Sequence, residues 1–189
     1  LQQDLLAALD ECKLSMRATG QQNTNVLNRH SQLSVYYQSL HSLVDYSISG
    51  FEALIRWRHP QLGLLAPLDF VDLVKDIGMT DVMTYWIVQQ VSFQCMLWES
   101  QNIRPGVIIV NLSGLTGSHA LDMSKIQQII VDTGADPSWL LFSVPESEIT
   151  ANIEPMIALL NKFTDAGLKI AIDNFGPNAD FSSRLPEIS

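Results

Sequence analysis

The sequence is short of cysteine, and this shortage excludes one class of small secreted fold. Only Cys12 and Cys95 occur in 189 residues, too few for the disulfide framework typical of such proteins. Cys95 lies in an apolar helical run, where it is expected to be a small core residue. A chain of this length is predicted to form one domain with a substantial core.

Basic residues are also scarce. The 11 Lys and Arg stand against 20 Asp and Glu, so the formal net charge is −9. Such a chain has no cationic surplus with which to release counterions from phosphates, and we predict no nucleic-acid partner. A local arginine or a metal ion could still offset the negative field for a phosphorylated small molecule.

A long uninterrupted apolar run and a signal-peptide pattern are missing as well. The most apolar helical stretch, residues 82–98, contains Gln89, Gln90 and Gln94. We therefore predict no membrane span and expect a cytoplasmic protein.

The second half of the chain contains a regular alternation of strands and helices. Continuous apolar strands separated by helices, starting about 30 residues apart, are typical of parallel βαβ units that are buried on both faces. The predicted strands are 107–110, 139–144 and 168–172, and the helices between them are 121–133 and 152–166, which end at Gly134 and Gly167.

The first half differs in its connections. Strands predicted at 33–40 and 47–56 are joined by a segment short enough for a hairpin, so they are expected to pair antiparallel. The remaining predictions are a helix at 1–14, a loop at 15–31, a helix from Pro67 to Gly78 and a longer helix that ends near residue 100.

One polar pair lies within an apolar strand, in the stretch 51–57 (Phe-Glu-Ala-Leu-Ile-Arg-Trp). Side chains alternate along a strand, so Glu52, Leu54 and Arg56 share one face while the residues between them face the core. A carboxylate in this position is costly to bury without a cation, a metal or several donors. A structural Glu52–Arg56 ion pair is one interpretation, and a functional carboxylate is the other.

Polar residues lie at the ends of three successive apolar strands: Asn111, Ser143 and Asp173. The carboxyl ends of parallel strands lie on the same side of a sheet, where a (β/α) barrel carries its chemistry. Together with Glu52, Asn111 and Asp173 form an oxygen-rich set suited to Mg²⁺ or Mn²⁺. Ordinary turn-forming residues would produce the same pattern, so both interpretations stay open.

Five short segments carry a resemblance to a known family. They are 35–38 (Val-Tyr-Tyr-Gln), 50–57 (Gly-Phe-Glu-Ala-Leu-Ile-Arg-Trp), 63–67 (Gly-Leu-Leu-Ala-Pro), 110–113 (Val-Asn-Leu-Ser) and 172–176 (Ile-Asp-Asn-Phe-Gly). In this order they resemble the EAL domains of bacterial signalling proteins, which hydrolyse or bind cyclic di-GMP.

The resemblance implies an α/β fold, a TIM-like (β/α) barrel of EAL type with an antiparallel first strand. It also implies a two-metal site that cleaves one phosphodiester of cyclic di-GMP to give linear pGpG. By the same resemblance, the metal ligands are Glu52, Asn111 and Asp173, and the substrate contacts are Gln38, Leu54 and Arg56.

Two positions depart from the family pattern. Ser143 stands where active members have a metal-binding glutamate, and Asn174 stands where they have a second aspartate. Each change removes one negative charge, which at an effective dielectric constant of about 20 is worth several kcal/mol at ligand range. We therefore expect Mg²⁺ or Mn²⁺ to bind weakly, and a second metal ion to be absent or weakly held.

The length also departs from the pattern, because a complete barrel needs about 200 to 250 residues. We expect residues 1–31 to form an N-terminal helix and linker, and residues 32–189 to form a truncated EAL-like domain. The resemblance implies that a lysine near the attacking water, a further glutamate and a guanine-contacting glutamine are missing. An incomplete barrel leaves a free strand edge, so self-association or a protein partner is expected.

Three functions compete on these observations. Ser143, Asn174 and the missing units favour a degenerate EAL domain, a catalytically inactive receptor for cyclic di-GMP or a regulatory module. A pure protein-interaction module that binds no nucleotide is the second. The set of Glu52, Asn111, Asp173 and Arg56 favours the third, a metal-dependent cyclic di-GMP phosphodiesterase.

Overall fold

Six strands and six helices lie in the part of the chain that the structure, a computed structural model, describes: residues 1–18, 31–112, 121–176 and 186. The strands are β1 Leu33–His41, β2 Ile48–His59, β3 Gly63–Leu65, β4 Val107–Asn111, β5 Leu140–Pro145 and β6 Lys169–Asp173. The helices are α1 Gln2–Ala18, α2 Val71–Asp76, α3 Thr80–Ser100, α4 Met123–Thr133, α5 Glu146–Ala151 and α6 Ile153–Asp165.

The strands form one mixed sheet in the order β1-β2-β4-β5-β6, with the short β3 paired to the end of β2. β1 runs antiparallel to β2, whereas β2, β4, β5 and β6 pair in parallel. This confirms the predicted α/β fold with an antiparallel first strand. Within the described residues β1 and β6 form the two edges of the sheet, and the barrel is not closed.

Strand β2 divides its side chains between the two faces as its sequence predicts. Ala53, Ile55 and Trp57 are buried, while Glu52, Leu54 and Arg56 on the other face are only half-buried. Phe51, on the same face as Ala53, stacks on Trp98 of α3 with ring centroids 5.0 Å apart. The buried face is therefore the one packed against α3.

The two faces of the parallel strands are buried to different degrees in the described residues, so the predicted burial on both faces is realised only in part. Ile108, Val110, Phe142 and Val144 are 0% exposed. Phe142 packs on Phe163 of α6 at 4.9 Å between ring centroids. The alternate residues of β4 are half-buried, because no described layer covers their side of the sheet.

Several element boundaries differ from the predictions. The predicted helix from Pro67 to Gly78 is a short 3-10 turn followed by α2, because Phe70 between them has a non-helical φ of −145°. β3 and α5 were not predicted, since three and six residues are too few to show a period. Asn152 precedes α6, but its side chain makes no capping hydrogen bond. Gly134 ends α4 in the left-handed conformation, with φ of 76°, as predicted.

The N-terminal helix contributes to the common core. Leu5, Ala8 and Leu9 are 0% exposed and Cys12 is 1% exposed, and all four belong to the same buried cluster as the sheet. α1 continues to Ala18, so it overlaps the start of the predicted loop at 15–31, and residues 19–30 of that loop lie outside the described part. No helix in the described ranges is both long and apolar enough to cross a membrane.

Burial of the two cysteines leads to the first testable prediction. Desolvation raises the pKa of the Cys12 and Cys95 thiols from 9.0 to about 12. In the folded chain at about pH 8, a disulfide reagent such as DTNB is expected to react at least a hundredfold more slowly than in concentrated guanidinium chloride, because the thiolate is the reacting form. Since folding favours the protonated thiols, the stability they support is complete below pH 9.0 and declines as the pH rises toward 12. Equal rates in the two solvents would contradict the burial of both residues.

Candidate functional site

The parallel register brings the strand-end residues to one rim of the sheet. Asn111 of β4 pairs in register with Ser143 of β5, and Ser143 pairs with Ala171 of β6. Asp173 lies two residues beyond Ala171, opposite Pro145. The three predicted strand-end residues therefore lie at the same end of the sheet, on the half-exposed face.

Glu52 and Asn111 are in direct contact at this rim. The Asn111 Nδ2 group donates a hydrogen bond of 2.6 Å to Glu52 Oε1. Glu52 also lies opposite Gln38 in the antiparallel register with β1. This contact gives the half-buried carboxylate a donor from a neighbouring strand.

The alternative interpretation of Glu52, a structural ion pair with Arg56, is not realised. None of the ion pairs within residues 1–18, 31–112 and 121–176 joins these two side chains. The Arg56 Nη1 group instead donates to the Ile55 carbonyl oxygen at 2.8 Å. Arg56 thus remains half-buried on the same face as Glu52 and Leu54.

The described residues include both positions that depart from the family pattern, Ser143 and Asn174. Ser143 is 6% exposed, and its carbonyl oxygen accepts a hydrogen bond of 2.8 Å from the Leu112 amide. Asn174 has a left-handed φ of 52° and directs its backbone and side-chain amides at the Asp173 carboxylate, at 2.8 and 3.4 Å. These two donors engage oxygen lone pairs of Asp173 that a cation would otherwise use.

Sequence reasoning gave no role to Glu146, which is buried next to the rim. It is the first residue of α5 and 1% exposed, and its Oε2 accepts a hydrogen bond of 2.8 Å from the Gly176 amide. The contact joins the end of β5 to the loop that follows β6. Its position directly after an apolar strand could have indicated a role for this carboxylate. Its partner, the Gly176 amide, could not be identified from the sequence, because it lies 30 residues away.

A cavity of about 170 Å³ lies beside the rim. Leu54, Asn111 and Asp173 line it together with apolar side chains from β2, residues 67–74 and α3, among them Phe70 and Met83. Gln38, Glu52 and Arg56 are not among its lining residues. The structure therefore brings three of the six predicted site residues to one cavity and leaves the other three on the adjoining sheet face.

The donors at the rim fit a divalent cation by type but carry little charge. Glu52 and Asp173 supply carboxylate oxygens, Asn111 an amide oxygen and Ser143 a hydroxyl, all of them hard ligands. In the described part of the chain, no three His, Cys, Asp or Glu side chains are grouped closely enough to hold a metal ion. By donor type the rim residues suit a hard cation, but the described side chains do not form a ready-made metal cluster.

This chain is similar to several known proteins. The model of the EAL domain family matches residues 21–188. An uncharacterized signaling protein of Caulobacter vibrioides is 30% identical over 155 residues, which are 82% of this chain and 19% of that protein. The bifunctional diguanylate cyclase/cyclic di-GMP phosphodiesterase MucR of Pseudomonas aeruginosa is 29% identical over 181 residues, which are 91% of this chain and 26% of MucR. The chain thus spans about a fifth to a quarter of the length of these relatives.

Solved structures show the same likeness. A structure of the MucR phosphodiesterase in complex with cyclic di-GMP has a TM-score of 0.73 and 27% identity, and the match covers 93% of this chain and 69% of that one. A manganese/cyclic di-GMP complex of BlrP1 from Klebsiella pneumoniae has a TM-score of 0.63 at 20% identity, and covers 86% of this chain and 40% of that one.

Proposed function

The chain belongs to the EAL domain family, and we propose that within cyclic di-GMP signalling it is a catalytically weak or inactive member that binds or regulates. The observation that carries this proposal is the composition of the rim. A buried serine and an amide occupy the two positions where the family resemblance implies carboxylates. Two divalent ions in one site need more negative charge than Glu52 and Asp173 supply.

The rim residues have distinct roles in this proposal. Glu52, Asn111 and Asp173 would hold a single Mg²⁺ or Mn²⁺ weakly. Such an ion, when bound, polarises a phosphoryl oxygen of the ligand. The manganese complex of a related EAL fold supports this choice of metal.

Two of the proposed nucleotide contacts, Leu54 and Arg56, lie on the face of β2 that also carries Glu52. The planar Arg56 guanidinium suits a phosphate, since its donors can bind two oxygens at once. Leu54 borders the apolar cavity, and Gln38 lies opposite Glu52. Cyclic di-GMP in the complex of the similar MucR phosphodiesterase supports this ligand.

A product assay tests the proposal directly. The chain is incubated with cyclic di-GMP and Mg²⁺ or Mn²⁺, with the MucR phosphodiesterase in parallel as the active control. We expect linear product to form at least about a hundredfold more slowly than with MucR, because a loss of 2.7 kcal/mol in transition-state stabilisation suffices for that factor. Product formation at a rate comparable to that of MucR would contradict the proposal and favour the phosphodiesterase alternative.

A binding titration separates the two inactive alternatives. Calorimetric titration with cyclic di-GMP is expected to show saturable binding that Arg56→Ala weakens about tenfold or more, since a charge-assisted hydrogen bond contributes roughly 1.5–3 kcal/mol. Arg58→Ala, an exposed arginine on the same strand, is the matched control and should leave the affinity unchanged. Absence of binding in the unmodified chain would favour a pure protein-interaction module.

A protein contact is the remaining part of the proposal. Within the described residues, β1 and β6 are the edges of the sheet, and a strand edge or a half-exposed sheet face can pair with a second chain. We expect light scattering to show a mass that rises with protein concentration. A constant monomer mass over the whole concentration range would contradict self-association.

A further inference from the structure

We propose that α1 is a regulatory element, and that its docking through Asp4 and His59 holds β2 and Phe70 in the positions that the candidate site requires. The first support is the depth to which α1 is buried. Its apolar stripe of Leu5, Ala8, Leu9 and Cys12 is at most 1% exposed, while Asp10 and Leu14 on its other side are exposed. A helix docked by one stripe can be displaced as a unit by a competitor for that stripe.

His59 joins three segments through one ring. It is the last residue of β2 and 6% exposed. Its Nδ1 accepts hydrogen bonds of 3.1 Å from the backbone amides of Gln61 and Leu62, which fixes the turn between β2 and β3. Because Nδ1 accepts, the ring proton lies on Nε2, which donates to Asp4 Oδ2 at 3.3 Å.

Aromatic contacts continue from His59 toward the site. The Trp57 ring meets the His59 ring edge-on at 5.0 Å and the Phe70 ring at 5.7 Å. Trp57 is 0% exposed and Phe70 is 3% exposed, so neither ring can move without its neighbours. Phe70 lines the cavity that Leu54, Asn111 and Asp173 also line.

The contact series therefore runs without a gap from α1 to the candidate site. With α1 docked, His59 holds the turn, Trp57 holds Phe70, and Phe70 forms one wall of the cavity. With α1 displaced, His59 loses its acceptor and the core beneath the stripe opens. His59 acts here as a positioning residue, since it lies behind the site and is not among the residues that line the cavity.

Coupling of this kind is reciprocal. If docking of α1 favours ligand binding at the rim, then binding at the rim must favour docking by the same factor. The nucleotide part of this inference rests on the proposed function, while the contact between α1 and His59 does not.

The first experiment measures amide hydrogen exchange in the free protein. In Asp4→Ala, the Gln61 and Leu62 amides should exchange about tenfold faster, because the His59 ring that accepts from both amides loses the acceptor that orients it. Asp10→Ala is the matched control, because it removes the exposed ion pair of Asp10 with Lys13 on the same helix at 3.0 Å. Unchanged exchange in Asp4→Ala, or equal acceleration in Asp10→Ala, would overturn the proposal.

The second experiment distinguishes regulation from simple stabilisation. Cyclic di-GMP with Mn²⁺ is titrated into the unmodified chain, Asp4→Ala and Asp10→Ala, and exchange across α1 is followed at saturation. We expect Asp4→Ala alone to bind about fivefold more weakly, a factor at the lower end of typical allosteric coupling. In the unmodified chain, bound ligand should slow the exchange of the α1 amides. A lowered melting temperature with unchanged affinity in Asp4→Ala would show a purely structural contact and overturn the coupling. Absence of binding in the unmodified chain would defeat the coupling and favour the module that binds no nucleotide, whereas the exchange result in the free protein would still decide the contact.

Discussion

The double variant Ser143→Glu with Asn174→Asp is expected to bind Mn²⁺ about a hundredfold more tightly than the unmodified chain. It adds two carboxylates to the predicted set of metal ligands, in which Glu52 and Asp173 are the carboxylates. At an effective dielectric constant of about 20, each added charge contributes several kcal/mol at ligand range, of which desolvation and side-chain ordering cancel a part. Isothermal titration calorimetry measures the change.

The control for this variant carries the same net charge elsewhere. Gln3→Glu with Gln127→Glu adds two carboxylates at exposed positions of α1 and α4. This control should change the Mn²⁺ affinity less than twofold, because exposed charges beyond a Debye length of about 10 Å are screened. Asn174→Asp alone, at an exposed position, should produce about a tenfold gain, and it guards against a folding defect from the buried Ser143→Glu. If neither the double nor the single variant gains affinity, these positions do not face the proposed metal site.

Turnover is expected to remain low in the same double variant. The family resemblance implies that hydrolysis also needs a lysine near the attacking water and a further glutamate, and the two substitutions supply neither. Metal binding and hydrolysis should therefore separate, with tighter Mn²⁺ binding and no rise in linear product. Hydrolysis restored by the two substitutions alone would show that the charge of the rim is the only defect.

Gly50→Ala is expected to destabilise the fold by about 3 kcal/mol, the upper part of the usual range for overpacking. Gly50 opens the parallel pairing between β2 and β4, opposite Val107. A Cβ atom at this position would collide with the Val107 carbonyl oxygen, and this contact is with backbone that cannot rotate away. Relief requires separation of the two strands that carry Glu52 and Asn111.

The matched comparison is Gly63→Ala, at the start of β3. Gly63 has φ of +79° but no atom within 4 Å of an added Cβ. It should cost only the left-handed backbone penalty of about 1–2 kcal/mol. Urea denaturation of both variants gives the two free energies of unfolding, and an equal or smaller loss for Gly50→Ala would contradict the close approach of β2 and β4. Separation of β2 and β4 would also disturb the hydrogen bond between Glu52 and Asn111. Gly50→Ala should therefore weaken Mn²⁺ binding as well, whereas Gly63→Ala should not.

Local periodicity predicted the part of this structure that depends on neighbouring residues. The division of β2 into a buried face and a face with Glu52 follows from alternation within seven residues. The parallel order follows from strands alternating with helices, and it brings Asn111 near Glu52 although 59 residues separate them. The Asn111 side chain then supplies the donor that the half-buried carboxylate needs.

Contacts that depend on the path of a loop or on the packing of whole elements could not be predicted from local periodicity. The Glu146–Gly176 hydrogen bond requires the path of the loop after β6, which no sequence period encodes. The apolar stripe of α1 indicates that the helix docks but does not identify its partner, so its place in the common core was not foreseen. Burial on both sheet faces was predicted from apolar composition, which does not reveal whether a second layer covers the sheet.

A cation held at the carboxyl end of this sheet would retain much of its hydration shell, because the face that carries Glu52 and Asn111 is only half-buried. Mg²⁺ gives up water reluctantly and demands regular octahedral geometry, whereas Ca²⁺ accepts a larger and irregular shell. A closed cage of protein ligands discriminates between them by size, but retained water can complete either shell. The rim should therefore discriminate poorly between Mg²⁺ and Ca²⁺.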